Sequence, residues 1–229
     1  MILSHRHKFI FLKTSKTAGT SLELALARFC GADDIITPVS ALDEELRNSL
    51  GAAGPQNYER KWTSYGPHDW MNAITRLRAQ RFYNHIPARE VRRIVDRAVW
   101  DGYFKFCFER NPWDRVLSQY AWRCKAEPKP SMAEFLESKA VQDLTQRGIG
   151  VYTIGGKVAV DRVCRYENLA EELEFLQNRL ELPEPLELPR AKAGHRSDRR
   201  HYREVLTEQD AKKIAQRFHR EITLFGYQY

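Results

Sequence analysis

FIFLKTSKTAGTSLELALARF, residues 9–29, changes character twice within a short span. Phe9–Leu12 is aromatic and β-branched, the composition of a buried strand, whereas Leu22, Leu24, Ala25, Leu26 and Phe29 suit the buried face of a helix. Between them lie two lysines, a glycine and a run of hydroxyl side chains. A strand that turns directly into a helix leaves the first-turn N–H groups without intrahelical acceptors, at the positive end of the helix dipole. The expected ligand is therefore a phosphate or a group of similar charge.

The rest of the chain narrows the class. Its 229 residues read as one domain spanning 1–229, with 31–80 and 183–204 as insertions around the ligand. A net charge of +7 and a pI near 9.3 point to an anionic partner. No aromatic-basic RNA motif or helix-turn-helix pattern is present, so nucleic acid is not the expected partner. Cys30, Cys107, Cys124 and Cys164 are widely spaced with no C-x-x-C pair, which favours free thiols in a reducing cytoplasm. The apolar run in MILSHRHKFIFLK is too short for a signal peptide core, and no later run matches a membrane span. No metal-ligand cluster is evident, and no metal is expected.

Further along, the pattern predicts helices over 42–50, 68–80 and 86–99, the last with Pro87 in its first turn. YFKFCFER (103–110) is a second strand, running into Asn111-Pro112 and a helix that continues through Trp113, Val116, Leu117 and Tyr120. Ser131 and Glu134 form a capping-box pattern for a helix reaching about Gln146. KVAVDRVCRYENL (157–169) predicts a third strand, then a helix with Leu169, Leu173, Leu176 and Leu180 on one face. Residues 183–204 are Pro-rich, then strongly basic. A last helix from Thr207 carries Ile214, Phe218, Ile222 and Phe225 as one stripe. Strands separated by helices imply an α/β fold with a central, mainly parallel sheet, whose ligands gather at the carboxyl ends of the strands.

Two strand-to-helix junctions then stand out, KTSKTAGTS (13–21) and ERNPWDRVLSQY (109–120). In the first, Gly19 permits close backbone approach, Lys16 brings a point charge, and Thr17, Thr20 and Ser21 offer hydroxyls. In the second, Arg110 presents a forked donor and Ser118 follows two helical turns later. Two anion sites at neighbouring strand ends suit one ligand with two separated phosphates. Neither a Walker A loop nor a dinucleotide G-x-G-x-x-G is present.

SKTAGTSLE resembles the 5′-phosphosulfate loop of sulfotransferases that use 3′-phosphoadenosine 5′-phosphosulfate (PAPS), and RNPWDRVLSQY resembles their 3′-phosphate motif. With NHIPARE, YFKFCFERNPWDR, RYENL and the closing FGYQY, the chain is similar from Lys8 to Tyr229 to bacterial family-2 sulfotransferases related to the carbohydrate 2-O-sulfotransferases. It departs at Ser15, where many relatives carry Pro, and lacks the G-x-x-G-D-W-K segment of the cytosolic small-molecule enzymes. The resemblance implies a P-loop-NTPase-like three-layer fold. It implies PAPS as donor, 3′,5′-adenosine bisphosphate (PAP) as product, and a hydroxyl-bearing acceptor of carbohydrate type. Lys16, Thr17, Ala18, Gly19, Thr20 and Ser21 would hold the 5′ end, and Arg110 and Ser118 the 3′-phosphate. Lys192 to Arg203 would cover the cofactor.

Sulfuryl transfer calls for positioning, charge stabilisation and a base. Lys16 is expected on the leaving phosphate and His85 as the base, with His68 second and Glu23 third. Trp113 reads as a core aromatic with adenine stacking as the lesser option, and Arg115 and Arg123 as solvated charges or acceptor contacts. Two other functions compete: a diverged nucleotide-phosphate enzyme of kinase type, and a non-catalytic sulfotransferase-like anion-binding protein.

Overall fold

The computed structural model describes residues 1–60, 62, 65–76, 81–189 and 200–229, with 68, 69, 72, 73 and 76 described by backbone alone. Among the described residues, five strands form the main sheet: β1 (Ile2–Ser4), β2 (Phe9–Phe11), β3 (Ile35–Ile36), β4 (Phe104–Glu109) and β7 (Arg162–Arg165), in the order β3-β1-β2-β4-β7. β2, β4 and β7 run parallel, in register Phe11 with Phe106 and Glu109 with Arg165. β1 is antiparallel to both of its neighbours, so one strand of the five is reversed. The remaining pair, β5 (Thr153–Ile154) and β6 (Lys157–Val158), is a separate hairpin.

Strand alternation sorts the side chains into two cores. Phe9 and Phe11 pack with Phe106, Phe108, Leu22 and Leu26 on one face, against α1 (Gly19–Ala27) and α10 (Leu169–Arg179). Ile10 and Leu12 pack with Cys107, Ile86, Val91 and Trp100 on the other, against α4 (Ala88–Ile94), α5 (Arg97–Gly102) and α9 (Ile149–Tyr152). Helices therefore flank the sheet on both faces. A third cluster joins α6 (Pro112–Arg123), α7 (Met132–Leu136), α8 (Lys139–Gln146), α11 (Tyr202–Val205), α12 (Glu208–Arg217) and α13 (His219–Phe225) around Val116, Leu144 and Phe218. α2 (Ala41–Ser49) and α3 (Pro67–Arg76) belong to the long segment after α1.

Several expected elements come out shorter. The 157–169 strand is divided at Asp161, whose carboxylate accepts the Lys105 N–H at 2.7 Å, leaving 157–158 in the hairpin and 162–165 in the sheet. The 86–99 helix breaks at Val95 and Asp96, both extended, and the 131–146 helix breaks at Glu137 and Ser138. The stripe after Thr207 keeps its apolar face but is divided at Phe218. Each helix break lies inside one continuous helical periodicity, so apolar spacing alone does not reveal it.

Candidate functional site

Because β2, β4 and β7 are adjacent and parallel, their carboxyl ends lie on one edge of the sheet. A cleft of about 500 Å³ opens there. Lys16, His85, Arg110 and Ser118, from three separate stretches of the chain, all line it. Ala18, Gly19, Thr20 and Ser21 line it as well. Thr17 does not: it is fully buried, with its hydroxyl 2.8 Å from that of Thr14 beneath the loop.

The 13–18 loop reaches α1 through two left-handed residues, Lys16 (φ 66°) and Ala18 (φ 57°). Neither is glycine, so each costs about 1–2 kcal/mol of backbone strain. Such a path turns successive N–H groups to one side, the geometry of an anion nest. Ala18, at the cap of α1, makes no side-chain cap hydrogen bond, and the first turn has no acidic residue. Gly19 is needed for packing: a Cβ there would stand 2.8 Å from Lys13 Cγ and 3.1 Å from the Thr14 carbonyl oxygen.

Beneath the loop Lys13 is 4 % exposed and pairs with Glu23 at 2.6 Å. Glu23 also accepts from the Met1 amino nitrogen (2.8 Å) and Thr37 (3.1 Å). Burial alone would raise its pKa, but Lys13 and the Met1 nitrogen outweigh it and hold the carboxyl at about 2. Fully engaged on the buried side of α1, Glu23 supports the loop.

His85 is the third left-handed residue at the cleft (φ 62°). Its Nδ1 lies 2.9 Å from the Lys13 carbonyl oxygen. A carbonyl can only accept, so Nδ1 carries the proton and the neutral ring keeps its lone pair on Nε2. Burial, reinforced by the charge of Lys13, lowers the imidazole pKa to about 3. His68 lies in α3, and its side chain falls outside the described residues.

Arg110 leaves β4 and is held from three sides. Nε donates to Asp114 at 2.8 Å, Nη1 donates to the Lys16 carbonyl at 3.1 Å, and the guanidinium lies 4.2 Å from the Tyr166 ring centre. With Nη2 also on Asp114, two of its five N–H groups remain for a ligand. The Asp114 ion pair thus orients Arg110 without exhausting it. Asn111 caps α6 by accepting from Trp113 and Asp114 N–H groups, with Pro112 at the first position, which aims Ser118 at the cleft.

Trp113 is in the core, as the leading expectation had it: it is 3 % exposed, stacks on Tyr202 and donates its ring N–H to the Ala211 carbonyl at 3.0 Å. Arg115, expected as a solvated charge or an acceptor contact, is fully buried and does not line the cleft. Of the basic stretch Lys192 to Arg203, residues 192–199 lie outside the described residues, and 200–203 lead into α11. The cleft also contains Trp122 and Arg147, which sequence reasoning did not select. Trp122 follows Ser118 by one helical turn and lies 5.4 Å from Lys16 Nζ, so the i,i+4 spacing carried that signal. Arg147 arrives by tertiary packing at the end of α8, where its carbonyl accepts the Ser15 N–H at 2.7 Å.

A basic cleft at the strand ends of an α/β chain, beside the start of a helix with no acidic first-turn residue, suits an anionic ligand. Residues 1–150 match the model of the Sulfotransferase family, Sulfotransfer_2, and the chain belongs to that family. An uncharacterized protein of Archaeoglobus fulgidus is 36 % identical over 108 residues, which cover 45 % of this chain and 88 % of that protein. No solved structure gives a significant match. Among the described residues, no helix is long and apolar enough to cross a membrane.

Proposed function

We propose that the chain moves the sulfuryl group of PAPS to a hydroxyl of a carbohydrate or glycosylated small molecule, on a P-loop-like α/β scaffold in the cytoplasm. The observation that carries the reading is the meeting of Lys16, His85, Arg110 and Ser118 around one cleft. The residues present fit the donor: α1 begins behind a left-handed loop with no acidic residue in its first turn, and Arg110 keeps two N–H groups. The α1 N–H groups, Lys16, Thr20 and Ser21 would hold the 5′ end, and Arg110 and Ser118 the 3′-phosphate. When bound, the donor supplies the sulfuryl group and the leaving 5′-phosphate.

His85 Nε2 takes the acceptor proton. Its neutrality at physiological pH follows from burial, and its tautomer from the Lys13 carbonyl. An anion near Lys16 raises the proton affinity of the imidazole, so the base strengthens when the site is loaded. Lys16, on its strained backbone, is placed to offset charge developing on the leaving oxygen.

Calorimetric titration with PAP, 5′-AMP and ATP tests the donor site. PAP should bind more tightly than 5′-AMP, and Arg110→Ala should weaken PAP by about 10- to 100-fold, the value of hydrogen bonds to a charged group. Equal affinity for PAP and 5′-AMP, unaffected by the substitution, would defeat the reading. With PAP binding established, an acceptor screen with His85→Ala as control tests the transfer.

A further inference from the structure

We infer that the buried Glu109–Arg115 pair is a positioning device that holds the two anion loops at a fixed separation, and thereby makes the chain select a nucleotide phosphorylated at both 3′ and 5′ over one phosphorylated at a single position. The inference rests on the donor-site reading above.

Arg115 and Glu109 are both completely buried, and Arg115 Nη1 donates to Glu109 Oε1 at 2.8 Å. A buried ion pair is weak evidence for stability, because desolvating both charges offsets their attraction, so its remaining partners decide its role. Arg115 Nε donates to the Ser15 carbonyl at 3.0 Å, inside the 13–18 loop. Glu109 Oε1 also accepts the backbone N–H of Arg110 at 3.0 Å, the first peptide of the second loop. One carboxylate oxygen and one guanidinium thus tie the two loops together.

The remaining atoms are fixed as well. Arg115 Nη2 donates to the Leu144 carbonyl at 2.7 Å, and the Tyr152 hydroxyl donates to Glu109 Oε2 at 2.8 Å. Gly148 lies against the guanidinium so closely that a Cβ would overlap it. Ser15 is gripped at both ends, since its N–H goes to the Arg147 carbonyl. Neither charge of the pair lines the cleft, so the pair acts through the loops it holds. A planar fork with several fixed acceptors sets distance and angle together, which a lysine ammonium cannot.

The test is calorimetric titration of the full chain with PAP, 5′-AMP and 3′-AMP, read as the ratio of 5′-AMP to PAP dissociation constants. Arg115→Lys retains the buried cation but loses the fork, and Tyr152→Phe removes one ligand of Glu109 while leaving the pair intact. Thermal melting of each variant reports folding. Arg115→Lys should lower the ratio about tenfold and Tyr152→Phe about threefold, a loss of coupling between sites rather than a uniform loss of affinity. An unchanged ratio, or three affinities falling by one common factor, would overturn the inference while leaving the donor reading in place. If Arg115→Lys does not fold, Tyr152→Phe decides by the same criterion. A wild-type chain that binds PAP no better than 5′-AMP would overturn the donor reading and this inference together.

Discussion

Three residues at the cleft, Lys16, Ala18 and His85, hold left-handed backbone without being glycine. Strain of this kind persists where surrounding contacts over-determine it, and here it coincides with the proposed anion loop and the proposed base. For His85 the depressed pKa has a measurable consequence. The imidazole should show the Nδ1–H tautomer by nitrogen NMR and should not titrate above about pH 4 in the ligand-free protein; a midpoint near 6.5 would refute the buried, carbonyl-bonded description. Between about pH 3 and 6.5 the unfolded chain binds the extra proton at this site, so its contribution to stability is present above 6.5 and is lost as pH falls. Gly19 gives a second test. Ala at this position must displace the stem of Lys13, so Gly19→Ala should cost about 1–3 kcal/mol in urea unfolding and weaken PAP binding as the loop shifts; a neutral result would mean that Lys13 can move aside.

At the scale of elements, α13 carries an unusual group. Glu221 is 1 % exposed, and its Oε1 has no hydrogen-bond partner. Burial raises its pKa to about 7, with Glu109 adding to the rise, while Arg115 and Arg220 oppose it. The sign is opposite to that of His85. The folded state holds the proton between about pH 4.5 and 7, so this contribution is complete below 4.5 and is lost as pH rises through 7. Glu221→Gln removes that loss. The variant should gain on wild type by on the order of 2–3 kcal/mol between pH 4.5 and 8, seen as a widening difference in melting temperature. A constant difference would show that Glu221 is ionised throughout. The divided helices belong to this scale as well: Ser138 and Phe218 end or start helices without disturbing the apolar stripe, so periodicity extends a helix through them.

The whole molecule carries a net charge of +7, yet its described site concentrates cations around one concave cleft. Charge of that arrangement steers a compact polyanion more than it grips a duplex. PAP association should slow as salt rises from 0.05 to 0.5 M, because the Debye length contracts from well over 10 Å to about 4 Å. Generic duplex DNA should show no binding tighter than about 10⁻⁴–10⁻⁶ M at physiological salt, the ordinary non-specific range. Tighter, steeply salt-dependent DNA binding would favour a basic-surface role over the cleft.

Local chemistry made β2, the 13–18 loop, α1, β4 and α6 legible in the sequence, because each is a short-range pattern of apolar period, proline and cap. The reversed strand β1 was not legible, since its direction depends on pairing with β2 and β3. The amino-acid order also selected Lys16, His85, Arg110 and Ser118 by motif and resemblance. Only the fold decided that these four share a cleft, that Thr17 turns inward, and that Trp122 and Arg147 join them. Arg115 shows the reason most directly. A charged side chain on a helix reads as solvated until its acceptors are known, and those acceptors, Ser15 and Leu144, come from segments brought to it by packing of the sheet and helices.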